Sequence, residues 1–245
     1  MASVVVLIPA RFGSSRFPGK PLALIAGRSM IERVYTNCKA SGFETAVVTD
    51  NDEIEAHVKS FGGIVLRVDD DVPSGSERIA LAYQRFFEHA KADIVINVQG
   101  DEPLLQGDVL KELAEFHLKS SYPITTLLRA RYVSEEDFKN PNVVKAIWSE
   151  QTKQCLYFSR QSLPYDRDGV RDYNWYQHIG VYSYRPEALL AFVKMPMSKL
   201  EDLEKLEQLR ALENGYSLGA ILTTQKLMGV DVPEDIKKVE GVLGE

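Results

Sequence analysis

The chain has 245 residues, of which 44% are hydrophobic and 26% charged, and its formal net charge at pH 7 is −6. This composition is typical of a globular protein with one large domain or two small ones. The acidic balance argues against nucleic acid or an anionic membrane as a partner, because both bind basic surfaces. No run approaches 18 apolar residues and no Lys or Arg precedes the first apolar run, so we expect a cytoplasmic protein without a signal peptide.

The first predicted element is a strand. Residues 4–8 form a continuous apolar run that ends at Pro9, as in a strand buried on both faces of a parallel sheet. The loop after it carries glycines and three cations, Arg11, Arg16 and Lys20. Such a loop lies in the crevice where open α/β sheets bind ligands. Its N–H groups and cations suit a polyphosphate, although a solvated basic loop would have the same composition.

Helices and strands then alternate along the chain. Ser29 and Glu32 have the spacing of a capping box, which predicts the start of a helix, and residues 52–55 predict the start of another. Residues 45–49 and 64–68 predict the second and third strands. The order β-α-β-α-β is typical of a doubly wound sheet of parallel strands.

Two later loops carry polar groups that suit a ligand. Residues 74–78, SGSER, precede a predicted helix, and the predicted strand at 93–98 runs into residues 99–103, QGDEP. A carboxylate directly after a central parallel strand would lie over the same crevice as Lys20, where it could hold Mg²⁺ together with phosphate oxygens. The alternatives are a simple helix cap for the first loop and a simple turn for the second.

The second half of the chain predicts a different pattern. After a helix at 107–120 and a strand at 124–130, strands from about residue 143 become short and alternating, which predicts a mixed or antiparallel extension of the sheet. We predict one helix over residues 200–212, where leucine recurs every three residues, and a last helix with Pro233 in its first turn. Cys38 and Cys155 lie in apolar patterns, which predicts buried free thiols.

The motifs in these loops resemble one enzyme family. IPAR, SSR and PGKPL within residues 8–22 are similar to the opening of the sugar-activating nucleotidyltransferases, and most of all to the 3-deoxy-manno-octulosonate (Kdo) cytidylyltransferases, or CMP-Kdo synthetases. SGSER, QGDEP, FSR at 158–160, HIGVY at 178–182 and LEQLR at 206–210 also resemble that family. The resemblance covers almost the whole chain.

The resemblance implies a reaction and an architecture. The reaction is transfer of CMP from CTP to the anomeric hydroxyl of Kdo, with release of pyrophosphate, for lipopolysaccharide synthesis. The implied fold is α/β, a doubly wound, mostly parallel Rossmann-like nucleotidyltransferase sheet with a mixed β extension. We expect a single domain with a CTP-binding core at 1–142, a sugar-binding and dimerisation part at 143–228, and a second metal carboxylate with a closing helix at 229–245. The expected cofactor is Mg²⁺ and the expected assembly a homodimer.

The resemblance also implies site residues. Those expected to act in catalysis are Arg11, Lys20, Asp101 and Asp231, and the two aspartates are expected to hold Mg²⁺. Those expected to bind CTP are Pro9, Ala10, Arg11, Ser14, Arg16, Lys20, Ser74, Gly75 and Arg78. Those expected to bind the 3-deoxy sugar acid are Gln99, Arg160, His178, Tyr182, Glu207 and Gln208.

Each of these roles has a simpler alternative. Asp231 could cap the last helix, Arg160 could be an exposed loop cation, and His178 could be a structural histidine. Glu207 and Gln208 could be solvated residues on a helix.

Three other functions stay open at this point. The same reaction on 8-amino-3,8-dideoxy-manno-octulosonate would suit Gln177, where the family often has Arg, and the acids at 201, 202, 204 and 207, because both would tolerate an amine. A different sugar nucleotidyltransferase is the second possibility. The third is a non-catalytic nucleotide-binding protein, against which two retained carboxylates argue.

Overall fold

The computed structural model describes residues 2–13, 17–87, 89, 91–133, 136–169 and 173–244. By its internal contacts the chain divides into two compact units. The first unit contains the residues up to Ala114 and those from Lys226 onward, and the second is Glu115–Gln225. The division by function at residues 142 and 228 stays a prediction, because compactness does not report which segment binds which substrate.

The strands of the described residues are β1 (Val4–Pro9), β2 (Leu24–Ile25), β3 (Arg28–Ser29), β4 (Glu44–Thr49), β5 (Val65–Arg67), β6 (Ile94–Val98), β7 (Ile124–Tyr132), β8 (Lys145–Trp148), β9 (Gln154–Ser159), β10 (Asn174–Tyr184) and β11 (Leu218–Leu222). The helices are α1 (Met30–Lys39), α2 (Asp52–Ser60), α3 (Gly75–Phe86), α4 (Gly107–Lys119), α5 (Pro186–Phe192), α6 (Lys199–Glu204), α7 (Gln208–Glu213) and α8 (Glu234–Leu243). Two short 3₁₀ helices cover Lys20–Leu22 and Glu136–Phe138.

The first unit contains a parallel sheet in the order β5-β4-β1-β6. Every residue of β1 is buried, because this strand lies between two parallel neighbours and carries apolar side chains on both faces. The predicted β-α-β-α-β order is confirmed. Because these strands are parallel, their carboxyl ends lie at one edge of the sheet, and the loops after Pro9, Thr49 and Val98 meet there.

Helix starts in the first unit follow ordinary capping chemistry. The side chains of Ser29, Asn51 and Ser74 each accept a hydrogen bond from the amide three residues later, at the starts of α1, α2 and α3. The cap of α2 is therefore Asn51, one residue before the predicted Asp52.

The sheet of the second unit is mixed, in the order β10-β7-β11-β9-β8. Only the pair β7–β11 is parallel among the described pairings of this unit, and β7–β10, β8–β10, β8–β9 and β9–β11 are antiparallel. The expectation of a mostly parallel sheet is therefore wrong, and the fold is a mixed α/β fold. The physical reason is visible at β8 and β9, because residues 149–153 are too short a connection for a parallel crossover.

The predicted single helix over residues 200–212 is also wrong, since α6 and α7 are separate. Lys205 ends α6 in the left-handed region, with φ 52° and ψ 49°, and its amide donates to the Glu201 carbonyl. The break lets Arg210 of α7 return to Glu201, whose two carboxylate oxygens accept from Nε at 2.7 Å and Nη2 at 2.5 Å. A leucine spacing of three therefore reflects two short helices with different directions.

Two further expectations agree with the described residues. Cys38 and Cys155 are buried free thiols. Among the described residues, no helix is long and apolar enough to cross a membrane.

Candidate active site

The loop after β1 begins the candidate site. Pro9 is the last residue of β1, and the Ala10 amide extends the strand pairing by donating to the Val48 carbonyl at 2.9 Å. The exposed Arg11 guanidinium donates from Nη1 to the Pro73 carbonyl at 3.1 Å, so it lies beside the loop that leads to α3. Ser14 and Arg16, both predicted to bind CTP, lie outside the described residues.

Lys20 is the meeting point of three distant segments. Its Nζ lies 2.6 Å from Asp101 Oδ2, donates to the Val230 carbonyl at 3.0 Å, and is 4.0 Å from Asp231 Oδ1. Asp101 follows β6 and Asp231 precedes α8, and the Val230 amide donates to the Asp101 carbonyl at 3.0 Å. The structure therefore brings together Lys20 and both predicted metal carboxylates.

The electrostatics of this place suit a cation. Glu102 is half-buried as a residue, but its Oε2 is enclosed and has no hydrogen-bond partner among the described residues. Burial, then the charges of Asp101 and Asp231, raise the pKa of Glu102 to about 8, while Lys20 acts in the opposite direction. The Lys20 ammonium thus faces two carboxylates and a protonated Glu102, an excess of acidic groups that a divalent cation would offset.

Mg²⁺ fits Asp101 and Asp231 on these grounds. The described part of the chain contains no group of three or more His, Cys, Asp or Glu side chains that could hold a metal. A Mg²⁺ ion here would therefore take its other ligands from phosphate oxygens and water, as this ion does in sites with one or two carboxylates.

The loop before α3 approaches the end of β1 closely. A Cβ added at Gly75 would lie 3.1 Å from Pro9 Cγ and 3.7 Å from Gln99 Oε1. Ser74 caps α3 through its side chain, so the capping alternative describes a real contact. Gly75 is needed for this close approach, which leaves backbone groups of the loop at the carboxyl edge of the sheet.

Arg78 is buried, and its guanidinium is directed into the protein. Nη1 donates to the Val68 carbonyl at 2.5 Å and Nη2 to Asp50 Oδ2 at 2.7 Å. Arg78 therefore holds the loops after β4 and β5 in place, and a role in CTP binding would be indirect, through the position of these loops. Asp50 was missed by the sequence reasoning, although its place directly after β4 is the usual signal for a site residue at this edge.

Gln99 is expected to bind the sugar, and the structure places it beside the loop before α3, which is expected to bind CTP. Its Oε1 is the atom near Gly75, and its Nε2 lies 3.5 Å from Asn97 Oδ1. The other five predicted sugar-binding residues all belong to the second unit.

His178 lies on β10, between an aromatic neighbour and a polar one. Its ring meets Phe158 edge-on at 4.9 Å between centroids, and Nε2 lies 3.1 Å from Thr126 Oγ1. Burial lowers the pKa of His178 to about 3, so the imidazole is neutral at physiological pH. It could offer a sugar hydroxyl a neutral hydrogen-bonding group.

Tyr182 is the ring neighbour of His178, with centroids 5.4 Å apart. Burial, followed by the nearby Tyr184 and Glu207, raises the pKa of Tyr182 well above its usual value, so its phenol stays protonated. Glu207 stands at the N-terminus of α7. The buried Gln208 follows it, and within the described part of the chain its Nε2 has no hydrogen-bond partner. His178 and Tyr182 thus give the second unit neutral hydrogen-bonding groups, with the Glu207 carboxylate near Tyr182.

Arg160 is tied to the backbone rather than extended into solvent. Its Nε donates to the Glu204 carbonyl at 2.7 Å and its Nη1 to the Pro141 carbonyl at 3.0 Å. In the sequence, Glu204 is one of the four acids at 201, 202, 204 and 207, and nothing there sets it apart. Its spacing of three from Glu201 and Glu207 gives no sign of these contacts, because they cross from a helix to a strand.

Comparison with known proteins agrees with this geometry. A family model described as cytidylyltransferase matches residues 5–227. The 3-deoxy-manno-octulosonate cytidylyltransferase of Thermodesulfovibrio yellowstonii is 41% identical, covering 98% of this chain and 97% of the relative. The 8-amino-3,8-dideoxy-manno-octulosonate cytidylyltransferase of Shewanella putrefaciens is 40% identical, covering 97% of both chains. A solved CMP:2-keto-3-deoxy-manno-octonic acid synthetase complexed with CTP matches with a TM-score of 0.90 and 34% identity over 99% of both chains.

Proposed function

This chain belongs to the 3-deoxy-manno-octulosonate cytidylyltransferase family, and on that premise we propose that it transfers CMP from CTP to Kdo. The observation that carries the proposal is the convergence of Lys20, Asp101 and Asp231 at the carboxyl edge of the parallel sheet. A cation between two carboxylates, directly beyond the strand ends, is suited to a nucleoside triphosphate with its metal.

The chain's own cations would act on the triphosphate. Lys20 and Arg11 would offset its charge and stabilise the departing pyrophosphate. Asp101 and Asp231 would hold Mg²⁺, which when bound neutralises phosphate charge and polarises the α-phosphate. The anomeric oxygen of the sugar forms a bond to the α-phosphorus as the bond to the pyrophosphate oxygen breaks.

No covalent intermediate on the enzyme is required. Burial raises the pKa of the Cys155 thiol to about 12, and burial also raises the pKa of Cys38, so neither cysteine supplies a thiolate nucleophile. The protein's contribution is positioning of two anionic substrates and electrostatic stabilisation, as in other phosphoryl transfers.

Kdo is favoured over its 8-amino analogue by the contacts of the acidic residues. Glu201 is paired with Arg210, Asp202 with Lys205, and both carboxylate oxygens of Glu204 accept from the end of β9. The acids that were expected to tolerate an amine therefore already have partners. The fourth acid, Glu207, lies near enough to Tyr182, a predicted sugar-binding residue, for its charge to affect the Tyr182 pKa.

Gln177 gives no support for the 8-amino sugar either. Neighbouring residues of a strand point to opposite faces, so Gln177 and His178 of β10 do not face the same surface. The Gln177 Oε1 accepts from Arg131 Nη1 at 2.7 Å, so a cation lies beside this position although the residue itself is uncharged.

The proposal extends to the setting of the reaction. It includes Mg²⁺ as cofactor, lipopolysaccharide synthesis as the purpose, the cytoplasm as the compartment and a homodimer as the assembly. The family resemblance supports all four.

The test is pyrophosphate release over a matrix of substrates. CTP, UTP, GTP and ATP would each be offered with Kdo, the 8-amino sugar or a sialic acid, with Mg²⁺ and with EDTA. We expect turnover that requires CTP, Kdo and Mg²⁺ together. Equal turnover with UTP would reject the cytidylyl assignment, and a preference for the 8-amino sugar would reject Kdo.

A further inference from the structure

Glu204, the last residue of α6, is bonded to the end of β9 through three acceptors. Its Oε1 accepts from Ser159 Oγ at 2.6 Å, its Oε2 from the Arg160 amide at 2.9 Å, and its main-chain oxygen from Arg160 Nε at 2.7 Å. Ser159 is buried, so this carboxylate compensates polar groups that water does not reach. The contacts tie the end of the helix to the end of the strand.

The residue after Glu204 decides where α7 begins. Lys205 adopts a left-handed conformation, and its carbonyl lies 3.4 Å from Arg160 Nη2. Because the helix stops at this turn, the next residues restart as α7, with Glu207 and Gln208 at its N-terminus. Without the turn, a continuous helix would carry these two residues in other directions.

Arg160 is held from its other side by Lys145. The Lys145 side chain is buried, and its Nζ donates to the carbonyls of Arg160 at 2.9 Å, Asn140 at 2.8 Å and Val143 at 2.7 Å. The Arg160 amide is bonded to Glu204 and its carbonyl to Lys145, so both ends of this peptide segment are restrained. A guanidinium has five N–H groups, and those not bonded to the carbonyls at 141, 204 and 205 can meet a carboxylate.

We propose that Glu204 is the positioning residue of the sugar-acid site, an inference that rests on the proposed function. It sets the direction of Arg160 on one side and the start of α7, with Glu207 and Gln208, on the other. Its proposed action on the sugar is therefore indirect, through Arg160 and the start of α7. A carboxylate suits this place because both of its oxygens accept charge-assisted bonds, whereas an amide has one acceptor oxygen and would lose the charge and the bond that the Ser159 hydroxyl donates.

The test compares Glu204→Gln with Asp202→Asn. Asp202 belongs to the same helix, and its carboxylate accepts from the neighbouring Lys205 ammonium at 2.5 Å, so it is a matched acid-to-amide control. For Glu204→Gln we expect the KM for Kdo to rise about tenfold, as for loss of one charge-assisted hydrogen bond, and the KM for CTP to change less than twofold. Asp202→Asn should leave both constants unchanged.

A double-mutant cycle with Arg160→Ala separates positioning from general loss of stability. Because Glu204 acts partly through Arg160, its replacement should add less to the Kdo KM once Arg160 is absent, so the two effects should be less than additive. Glu204→Gln should keep the circular dichroism of the parent, which makes the kinetic result interpretable even if Glu204→Ala fails to fold.

Three results would overturn the inference. One is a wild-type Kdo KM in Glu204→Gln, another is an equal rise in the KM values for Kdo and CTP, and the third is additivity with Arg160→Ala. With any of these three results, turnover of CTP and Kdo by the parent and by Asp202→Asn would still support the proposed function. A parent protein that does not use CTP and Kdo would reject both the function and the inference.

Discussion

The ammonium of Lys20 lies 2.6 Å from the carboxylate of Asp101, within the first unit of the chain. The same ammonium is 4.0 Å from Asp231 Oδ1. Both carboxylates are the predicted ligands of Mg²⁺, so the lysine would compete with a bound metal ion for them. The phosphates of CTP offer Lys20 an alternative partner, which would release the carboxylates to the ion.

Replacing Lys20 by methionine should therefore have two opposite effects. Without nucleotide, Mg²⁺ should bind more tightly to Lys20→Met than to the parent in isothermal titration calorimetry, because a competing cation is removed. Turnover with CTP should fall about ten- to a hundredfold, as expected for a lost charge-assisted contact. Lys59→Met removes an exposed lysine paired with Glu55 and should change neither quantity. Weaker Mg²⁺ binding in Lys20→Met would contradict competition.

Arg11→Ala gives a separate measure of the phosphate loop. Its guanidinium reaches the carbonyls of Pro73 and Val72, and the residue is exposed at the edge of the sheet. We expect CTP turnover to fall about ten- to a hundredfold, with unchanged thermal stability. Unchanged kinetics in both Arg11→Ala and the lysine variant would show that the loop is only solvated surface.

Asp101→Asn and Asp231→Asn should each abolish turnover while leaving the circular dichroism spectrum unchanged. At the start of α8, the carboxylate that accepts from backbone amides belongs to Asp235. The amides of Asp231 and Val232 donate to its Oδ2 at 3.1 and 3.3 Å. Asp235→Ala should consequently cost about 1 kcal/mol of stability, the usual value for a lost cap. Near-normal turnover with reduced stability in Asp231→Asn would support the capping role instead.

Gly75→Ala tests the nucleotide loop. The added Cβ would be 3.1 Å from Pro9 Cγ, which is tighter than ordinary contact, so the loop must shift by a few tenths of an ångström. We expect a several-fold rise in the KM for CTP with little change in the KM for Kdo. Gly241→Ala is the control, since that position in α8 has open space and alanine favours a helix. A rise in the Kdo constant alone would argue against a nucleotide role.

His117 should make the folded state sensitive to mild acid. Burial, then the charge of Arg185, lowers its pKa from 6.5 to about 4, and its ring lies 2.7 Å from Ser183 Oγ and 3.0 Å from the Tyr122 carbonyl. Between pH 6.5 and 4 the unfolded chain binds a proton that the folded chain does not. The stabilisation is therefore complete above pH 6.5 and is lost as the pH falls towards 4.

For this one group the loss is about 2 kcal/mol between pH 7 and pH 5. Urea denaturation at the two pH values measures it. His117→Gln keeps a neutral donor and acceptor but cannot titrate, so its free energy of unfolding should fall less between pH 7 and pH 5 than that of the parent. An identical pH dependence in the two proteins would show that His117 does not carry the effect.

Local patterns in the sequence were sufficient for much of the fold. The apolar run at residues 4–8 determined a buried parallel strand, because its side chains are apolar on both faces and Pro9 cannot continue the pairing. Ser29 and Ser74 marked helix starts, since a side chain that accepts from the third following amide is a local interaction. The motifs around Lys20 and Asp101 indicated the family and the place of the phosphate loop, because each motif is a short contiguous stretch of sequence.

Only the tertiary structure decided the features that depend on distant partners. The strand order of the second unit, with one parallel pair among antiparallel ones, follows from which edges meet, and a strand's own pattern does not record this. The break at Lys205 is accompanied by the ion pair of Arg210 with Glu201 across it, a contact that a helical pattern does not record. Likewise, the amino-acid type of Glu204 says only that it is acidic, while its bonds to Ser159 and Arg160 exist because the fold brings α6 to the end of β9.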